Sequence, residues 1–365
     1  MKKIFTEDEL NVVGEHVGPL MMYFFGGSTP KKNTPITPRE NFLSALRRDG
    51  NVMWIPTFSD ILNVQGRINV DHIARAEVMD LTPLLTEEEK GGPDLFGIEW
   101  VFIPSAGGSM VKPGAPTLED VNDWPDVIKF PDVDALDWEG WAKANEQFKD
   151  TERAFQIGFQ NGLFERLISF MDFEGAAMAI IDDDQKDAIH ALFSKLCDMY
   201  EAFISNYCKY FPVNGVMFHD DWGSQRAPFF SPYTVREMIL PYLNRLADFC
   251  HERGMYFHQH SCGKNELLTP CMIEAGVDMW LPQDINDVDM LREKYGDKLM
   301  LGVAPTVAPD ATDEEIDALA KAFAEKYAPG MRERPILLTD FACGPKFTEK
   351  VYKYSRIILS QESSE

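Results

Sequence analysis

Long apolar runs are absent from this sequence. No segment approaches the ~20 consecutive apolar residues that a helix needs to cross a bilayer. The first residues, MKKIFTEDELNVVGEHVG, contain two lysines, but acidic residues follow where a secretory signal peptide requires an apolar stretch. The sequence therefore predicts a cytoplasmic protein that has no membrane partner.

Positive charge is also scarce. The chain has 35 Lys and Arg residues against 59 Asp and Glu residues, which gives a formal net charge of −24 at pH 7. A surface of this charge repels phosphate backbones and anionic membranes, so we do not expect a nucleic-acid partner. The charge is typical of a soluble enzyme that acts on a small molecule.

Cysteine is rare, with six residues in a chain of 365. Disulfides are not expected in the cytoplasm, and a cysteine that stands out by its position more often binds a metal or takes part in chemistry. Four of the six lie in predicted helices and are interpreted as small buried hydrophobes: Cys197, Cys208, Cys250 and Cys271. Cys262 and Cys343 are left as candidates for chemistry.

Short apolar strands alternate with amphipathic helices from residue 154 onward. This alternation predicts parallel β/α units. With two earlier candidates, VMWIPTF (52–58) and GIEWVFIP (97–104), the number of units is about seven or eight, which favours a TIM (β/α)8 barrel. The alternative, a doubly wound sheet, requires a glycine-rich phosphate turn, and SAGGSM (105–110) does not have that spacing. The later strands are predicted at 155–161, 214–221, 255–262, 277–283, 298–305 and 335–341.

Two of the predicted helices have clear start signals. The segment 231–254 begins with Ser231 followed by Pro232, and it ends at Gly254. The segment that follows Thr312 has acidic residues in its first turn, so Thr312 is predicted to cap that helix.

Residues 1–50 are predicted to form an N-terminal helical extension that packs on the barrel. The segment reads as short helices and turns, and it includes a helix in PRENFLSALRRDG that ends at Gly50. Residues 51–365 are then expected to form a single catalytic barrel domain. A homodimer is compatible with this organisation.

The strand MYFHQHSC (255–262) carries the most informative side chains. Residues alternate between the two faces of a strand, so His258, His260 and Cys262 project to the same side. The C-terminal ends of barrel strands open onto the active site, so His260 and Cys262 are expected at its mouth. His258 lies deeper and is interpreted as an interior histidine. The alternative is that it contacts a metal ligand and holds that ligand in position.

Cys343 follows the last predicted strand and is expected on the same rim as His260 and Cys262. One imidazole and two thiolates form a nitrogen–sulfur site of the kind that zinc prefers. Three protein ligands leave a fourth position for a reactant, which is typical of a catalytic zinc. The alternative is that His260 and Cys262 are close by coincidence and bind nothing.

A second polar group occurs in FHDDWGSQ (218–225), after the preceding strand. His219 and Asp221 share one face and are predicted to be catalytic, as proton-transfer or orienting groups. Asp220 occupies the opposite face, where it could bind substrate or cap a helix. The strand ends are predicted to supply three substrate-binding side chains: Asn161, Asp220 and Gln283.

Four segments resemble the uroporphyrinogen decarboxylase superfamily. They are HDDWGSQ, SPYTVREMILPYLNRLADFCHERG, HSCGKNELLTPCMIEAGVDMWLPQ and YGDKLMLGVAP. The resemblance is clearest between residues 213 and 304. Within the superfamily, His260 and Cys262 followed far downstream by Cys343 resemble the corrinoid-dependent methyltransferase branch.

The resemblance implies a zinc enzyme that moves a methyl group between a small donor and the cobalt of a corrinoid, a cobalamin-type group carried by a separate partner protein. The expected reaction is O-demethylation of a methoxylated aromatic, as in members of this branch from anaerobic bacteria. The first alternative is a methylcorrinoid:thiol methyltransferase. The zinc motif of two glutamates and a histidine found in some aromatic O-demethylases is absent from this sequence.

The second alternative is a metal-free decarboxylase of the uroporphyrinogen type. That branch of the family uses an arginine-rich N-terminal motif to bind the substrate carboxylates. Residues 1–60 contain Arg39, Arg47 and Arg48, all on the predicted helix, and no such motif. A net charge of −24 is also unfavourable for a substrate with many carboxylates.

Overall fold

The computed structural model describes residues 4–18, 20–22, 25–26, 28–68, 73–79, 89–105, 108–341 and 343–361. The strands in these residues are, in chain order, β1 (Val12–His16), β2 (Leu20–Met22), β3 (Phe25–Gly26), β4 (Thr29–Lys32), β5 (Ile61–Ile68), β6 (Ala74–Met79), β7 (Gly92–Pro93), β8 (Glu99–Ile103), β9 (Gly108–Val111), β10 (Ala154–Phe159), β11 (Gly215–His219), β12 (Tyr256–His260), β13 (Met279–Trp280), β14 (Met300–Val303) and β15 (Ile336–Leu338).

Seven parallel strands form the central sheet, in the order β5, β10, β11, β12, β13, β14 and β15. Thr57, just before β5, forms a parallel bridge with Leu338 of β15. The Leu338 N–H also donates a 2.9 Å hydrogen bond to the Pro56 carbonyl. The bridge joins the chain just before the first parallel strand to the last one, as in a closed barrel, and β6 pairs antiparallel with β5 as an eighth strand of the same sheet. This architecture confirms the predicted TIM-barrel class.

The two earliest predicted strands differ from the structure. In the segment 52–58 only Thr57 pairs as a strand, and a 3-10 turn at Phe58–Asp60 separates it from β5. The segment 97–104 does form β8, but β8 pairs with β7 and β9 in a separate antiparallel sheet. An apolar run predicts an extended conformation without identifying the partner strand, which explains both differences.

The helices pack around the outside of the sheet. They are α1 (Pro38–Arg47), α2 (Trp124–Val127), α3 (Trp138–Ala144), α4 (Leu163–Ala179), α5 (Lys186–Tyr210), α6 (Pro232–Thr234), α7 (Leu240–His251), α8 (Thr269–Glu274), α9 (Val288–Tyr295), α10 (Asp313–Tyr327) and α11 (Gly344–Gln361). None of the helices in the described part of the chain is long and apolar enough to cross a membrane.

The sequence 231–254, predicted to be one helix, contains a local irregularity. A π-helical turn, Val235–Ile239, lies between α6 and α7. Pro241 in the first turn of α7 has no N–H to donate, so the regular i to i−4 hydrogen-bond ladder is interrupted at this point. The predicted start at Ser231 is confirmed, because its Oγ accepts a hydrogen bond from the Thr234 N–H.

The N-terminal extension combines the predicted helix with strands that were not predicted. Helix α1 begins with a capping box between Thr37 and Glu40 and ends at Arg48, which has a positive φ of 52°. Strands β1 and β4 pair antiparallel before it. Glu9 connects this extension to α11, because its carboxylate accepts hydrogen bonds from Arg356 and from the Tyr352 hydroxyl.

Candidate metal centre

Strands β11 and β12 bring two histidines side by side at the C-terminal end of the sheet. His219 and His260 are register partners at the ends of these parallel strands. Their rings stack with centroids 4.3 Å apart and an interplanar angle of 14°. Asp221 lies just beyond β11, with its Oδ1 4.0 Å from His260 Nε2. One ligand atom from each of the three residues lies within 4.8 Å of the others, so together they could hold a metal ion.

Cys262 contacts two members of this group. Its Sγ lies 3.3 Å from His260 Nε2, and its backbone N–H donates a 2.6 Å hydrogen bond to Asp221 Oδ1. Burial and the nearby Asp221 carboxylate raise the pKa of the Cys262 thiol. A thiolate at this position therefore needs a cation to stabilise it. The combination of imidazole nitrogen, carboxylate oxygen and sulfur suits a divalent metal such as zinc.

Cys343 follows β15 as predicted, and its side chain is buried. Its Sγ lies 3.8 Å from Oγ1 of Thr348, a residue of α11. In the described residues, the group of potential metal ligands contains His219, Asp221 and His260 but neither Cys262 nor Cys343, and Cys262 joins it only through its contacts with His260 and Asp221. The structure thus brings together two of the three predicted ligands, and coordination by Cys343 stays a prediction.

Glu165 is a site residue that the sequence analysis missed. It lies in the first turn of α4, and its Oε2 is 2.8 Å from His219 Nδ1. This contact leaves Nε2 of His219 for a metal or a substrate, an arrangement typical of metal-binding histidines. The position of Glu165 in the first turn of the helix that follows β10 was the available signal, since the helix that follows a barrel strand begins at the active-site rim.

The charges of this group are strongly coupled. Burial acts to lower the pKa of His219, but the Glu165 and Asp221 carboxylates outweigh it and raise the pKa to about 9. Burial acts to raise the pKa of Asp221, but His219 and His260 hold it below its ordinary value. Without a metal, His219 therefore serves as the positive partner of the two carboxylates.

Asp220 has the contacts of a helix cap. It has no exposed surface, and its carboxylate accepts hydrogen bonds from the backbone N–H groups of Phe164 and Glu165 and from Trp222 Nε1. Burial raises its pKa to about 7. The sequence analysis assigned Asp220 to substrate binding with capping as the alternative, and these contacts support the alternative. The cap fixes the start of α4 and therefore the position of Glu165.

Asn161 and Gln283, the other two predicted substrate-binding residues, both lie at strand ends. Asn161 has a positive φ of 57°, and its carbonyl accepts a 2.7 Å hydrogen bond from the Tyr200 hydroxyl. Gln283 Oε1 accepts a 2.8 Å hydrogen bond from the Gly263 N–H. These contacts order the rim beside the metal ligands, and substrate binding by either residue stays a prediction.

His258 lies in the barrel interior. It is 1 % exposed, and its Nδ1 is 3.2 Å from Gln156 Oε1. Burial, with the charges of His260 and His219, lowers its pKa to about 3, so the ring is neutral at pH 7. This environment supports the interpretation of His258 as an interior histidine.

Comparisons with known proteins add a family and a fold. The family model described as uroporphyrinogen decarboxylase (URO-D) matches residues 92–344. The solved methyltransferase from Methanosarcina mazei is similar with a TM-score of 0.55 at 15% identity, covering 90% of this chain and 100% of that chain. At 15% identity, this similarity shows only that the two proteins share a fold.

Two further solved structures are too distant to support an argument. A Group II chitinase catalytic domain from Ostrinia furnacalis has a TM-score of 0.34 at 10% identity and covers 62% of this chain and 84% of that chain. A D-psicose 3-epimerase has a TM-score of 0.34 at 11% identity and covers 63% of this chain and 85% of that chain. Among curated proteins there is no match.

Proposed function

Because the chain belongs to the uroporphyrinogen decarboxylase family, we propose that it is a zinc-dependent methyltransferase that moves a methyl group between a small donor and the cobalt of a corrinoid on a separate protein. The pair His260 and Cys262, with the distant Cys343, resembles the corrinoid-dependent branch of this family. The fold likeness to a methyltransferase supports the same assignment.

The observation that carries the proposal is the meeting of nitrogen, oxygen and sulfur ligands at the ends of β11 and β12. His260 and Cys262 supply two ligands. The third ligand is Cys343, as the resemblance implies, or Asp221, whose carboxylate already lies 4.0 Å from His260. A bound zinc ion would supply Lewis acidity at one open coordination position.

The chain's own groups then orient the reactants and move a proton. Glu165 holds the His219 ring through Nδ1, so His219 can exchange a proton with the substrate through Nε2. Asp221 orders the turn after β12 through the Cys262 N–H and contributes negative charge beside the ligands. The stacking of the His219 ring on the ring of His260, a proposed ligand, supports proton transfer close to the zinc.

A methoxylated aromatic is the preferred methyl donor in this proposal, because the aromatic-rich N-terminal half resembles the demethylase-like members of the branch. A thiol that accepts the methyl group is the alternative. In either case, we propose that the corrinoid protein docks on the rim that carries His260 and Cys262, since its cobalt must reach the methyl group there.

Metal analysis of the purified protein tests the site. We expect about one zinc per chain in the wild type and its loss in His260→Ala and Cys262→Ser. Comparing Cys343→Ser with Asp221→Asn identifies the third ligand. Cys208→Ser, which replaces an exposed thiol, is the matched control and should keep the metal. If His260→Ala and Cys262→Ser retain full zinc, the proposed centre is wrong.

Activity assays separate the alternatives. The proposal expects methyl transfer with a corrinoid protein and a methoxylated aromatic or thiol, and its loss in His260→Ala. Decarboxylation of a porphyrinogen that survives Cys262→Ser would instead indicate the metal-free decarboxylase. Zinc binding with no methyl transfer to or from any corrinoid partner would indicate a metal carrier.

A further inference from the structure

A second pocket lies between the antiparallel strands β1 and β4, here called the N-terminal hairpin, and the end of the barrel's last strand, β15. Its volume is about 470 Å³, within the range of small-molecule sites. Strands β1 and β4, the turn after Thr57 and the β15–α11 connection form its walls. Of its lining residues, only Asp340, Phe341 and Gly344 fall within residues 92–344, so the family match does not assign this pocket a role.

The walls of the pocket are largely aromatic and apolar. Trp54 and Tyr352 line it and pack together with ring centroids 5.3 Å apart. Phe341 also lines it, remains 39 % exposed, and meets Phe58 edge-on at 4.7 Å. A large aromatic side chain left exposed beside a cavity is available for contact with a ligand, and aromatic faces attract cations as well as apolar groups.

Three carboxyl groups line the same pocket: that of Glu349 and those of the neighbouring pair Asp60 and Asp340. Asp60 accepts a 2.9 Å hydrogen bond from the Thr57 N–H. Burial, reinforced by the negative charge of Asp340, raises the pKa of Asp60 to about 7 in spite of that bond. The two carboxylates therefore destabilise each other as anions, and a cation bound between the aromatic walls would relieve this repulsion.

The positive charges near the pocket already have partners. Lys32 lines it and pairs with Glu349 at 2.6 Å. Arg153 lies outside the lining, where its buried guanidinium interacts with the charge of Asp60 and its Nη2 donates a 2.9 Å hydrogen bond to the Val17 carbonyl. Burial lowers the pKa of His16, the remaining basic side chain in the lining, which favours its neutral form. Among the described lining residues, the carboxyl groups of Asp60, Asp340 and Glu349 outnumber the single lysine, Lys32, so negative charge is in excess there.

We propose that this pocket binds a small organic cation, an amine or quaternary ammonium group attached to an aromatic or aliphatic body. The carboxyl groups of Asp60 and Asp340 would face the charge, and Trp54, Phe341 and Tyr352 would contact the body. A ligand that carries a carboxylate is disfavoured by the same charges. The inference stands on this pocket alone and does not depend on the proposed methyl transfer.

Calorimetric titration of the full-length protein with benzyltrimethylammonium tests the proposal. The controls among ligands are neopentylbenzene, a neutral molecule of the same shape, and phenylacetate, an anion. We expect the cation to bind at least about tenfold more tightly than the neutral molecule, and the anion not to bind. Equal affinity for the cation and the neutral molecule, or no binding of the cation, would overturn the proposal.

Variants then locate the binding site. Asp340→Asn and Phe341→Ala should each weaken benzyltrimethylammonium binding by about tenfold. Because Phe341 is partly exposed, its replacement should leave the fold intact even if a change at Asp340 does not. Asp310→Asn removes the same charge from an exposed loop and should have no effect. Cation binding that persists unchanged in both pocket variants would refute the assignment.

Discussion

His219, Asp221, His260 and Cys262 come from two adjacent strand ends, and each depends on a neighbour for its position. The His219 ring is held by Glu165, and the Cys262 backbone is held by Asp221. The first contact fixes which ring nitrogen of His219 faces a reactant, and the second orients Cys262 before a metal binds. Replacing Glu165 or Asp221 therefore tests the site as directly as replacing a ligand does.

Glu165→Gln should lower the pKa of His219, because the Glu165 carboxylate is one of the charges that, against the effect of burial, raise that pKa to about 9. NMR titration of the His219 ring in the metal-free protein measures this change. Glu174→Gln alters an exposed carboxylate on the same helix and should leave the pKa of His219 unchanged. Equal His219 pKa values in both variants would show that Glu165 does not act on the site.

Gly263→Ala should strongly destabilise the turn that follows Cys262. Gly263 has a φ of 95°, and a Cβ there would overlap the backbone of Gly223. Gly254 is the matched control, because it has a φ of 74° and a Cβ added there would meet no atom within 4 Å. Gly254→Ala should therefore cost only the conformational strain of about 1–2 kcal/mol. Urea unfolding should show a larger loss for Gly263→Ala, and equal losses would contradict the close backbone approach.

Helix α4 illustrates how one element positions part of the site. Its N-terminal N–H groups are capped by Asp220, which comes from the end of β11 on the neighbouring strand. The cap joins two β/α units at the rim and places Glu165 beside His219. The sequence shows that a helix follows β10. Where the first turn of that helix lies relative to the end of β11 depends on the contact between Asp220 and α4.

Asp220→Ala should lower the free energy of unfolding by about 2–4 kcal/mol, because it removes a helix cap and leaves the buried Trp222 Nε1 without its partner. Asp137→Ala removes the exposed cap of α3, where Asp137 accepts a hydrogen bond from Gly140, and should cost about 1 kcal/mol. Chemical denaturation compares the two. A smaller effect for Asp220→Ala would contradict its capping role.

At the scale of the whole molecule, the N-terminal extension is attached through a buried charge pair. Glu9 accepts 2.8 Å hydrogen bonds from Arg356 Nε and Nη2, and the two side chains are 8% and 1% exposed. The extension also forms one wall of the proposed cation pocket. Its attachment to α11 therefore affects both the stability of the chain and the shape of that pocket.

Glu9→Gln should destabilise the protein by about 3–5 kcal/mol, because the buried charge of Arg356 loses the Glu9 carboxylate that lies 2.8 Å from it. Glu7→Gln removes the ion pair between Glu7 and Lys353. Because the Glu7 side chain is 68% exposed, this change should alter stability by at most about 1 kcal/mol. Thermal and urea unfolding measure both. Similar small effects for the two variants would show that the buried pair does not stabilise the fold.

The sequence by itself determined the features that depend on neighbours along the chain. Alternating apolar strands and amphipathic helices predicted the barrel, and strand alternation placed His260 and Cys262 on one face. Thr312 was predicted to be a helix cap from its local pattern, and the structure has it in a capping box with Glu315. Each of these depends on a repeat or a short motif within a few residues.

Only the tertiary structure decided which distant residues meet. It brought Glu165 to His219, made Asp220 a cap for α4, and assigned β8 to a separate sheet. It also enclosed the pocket between the N-terminal hairpin and α11. The physical reason is that side-chain periodicity reports which face of an element is buried, whereas contacts between elements depend on strand order, register and packing, which no local pattern contains.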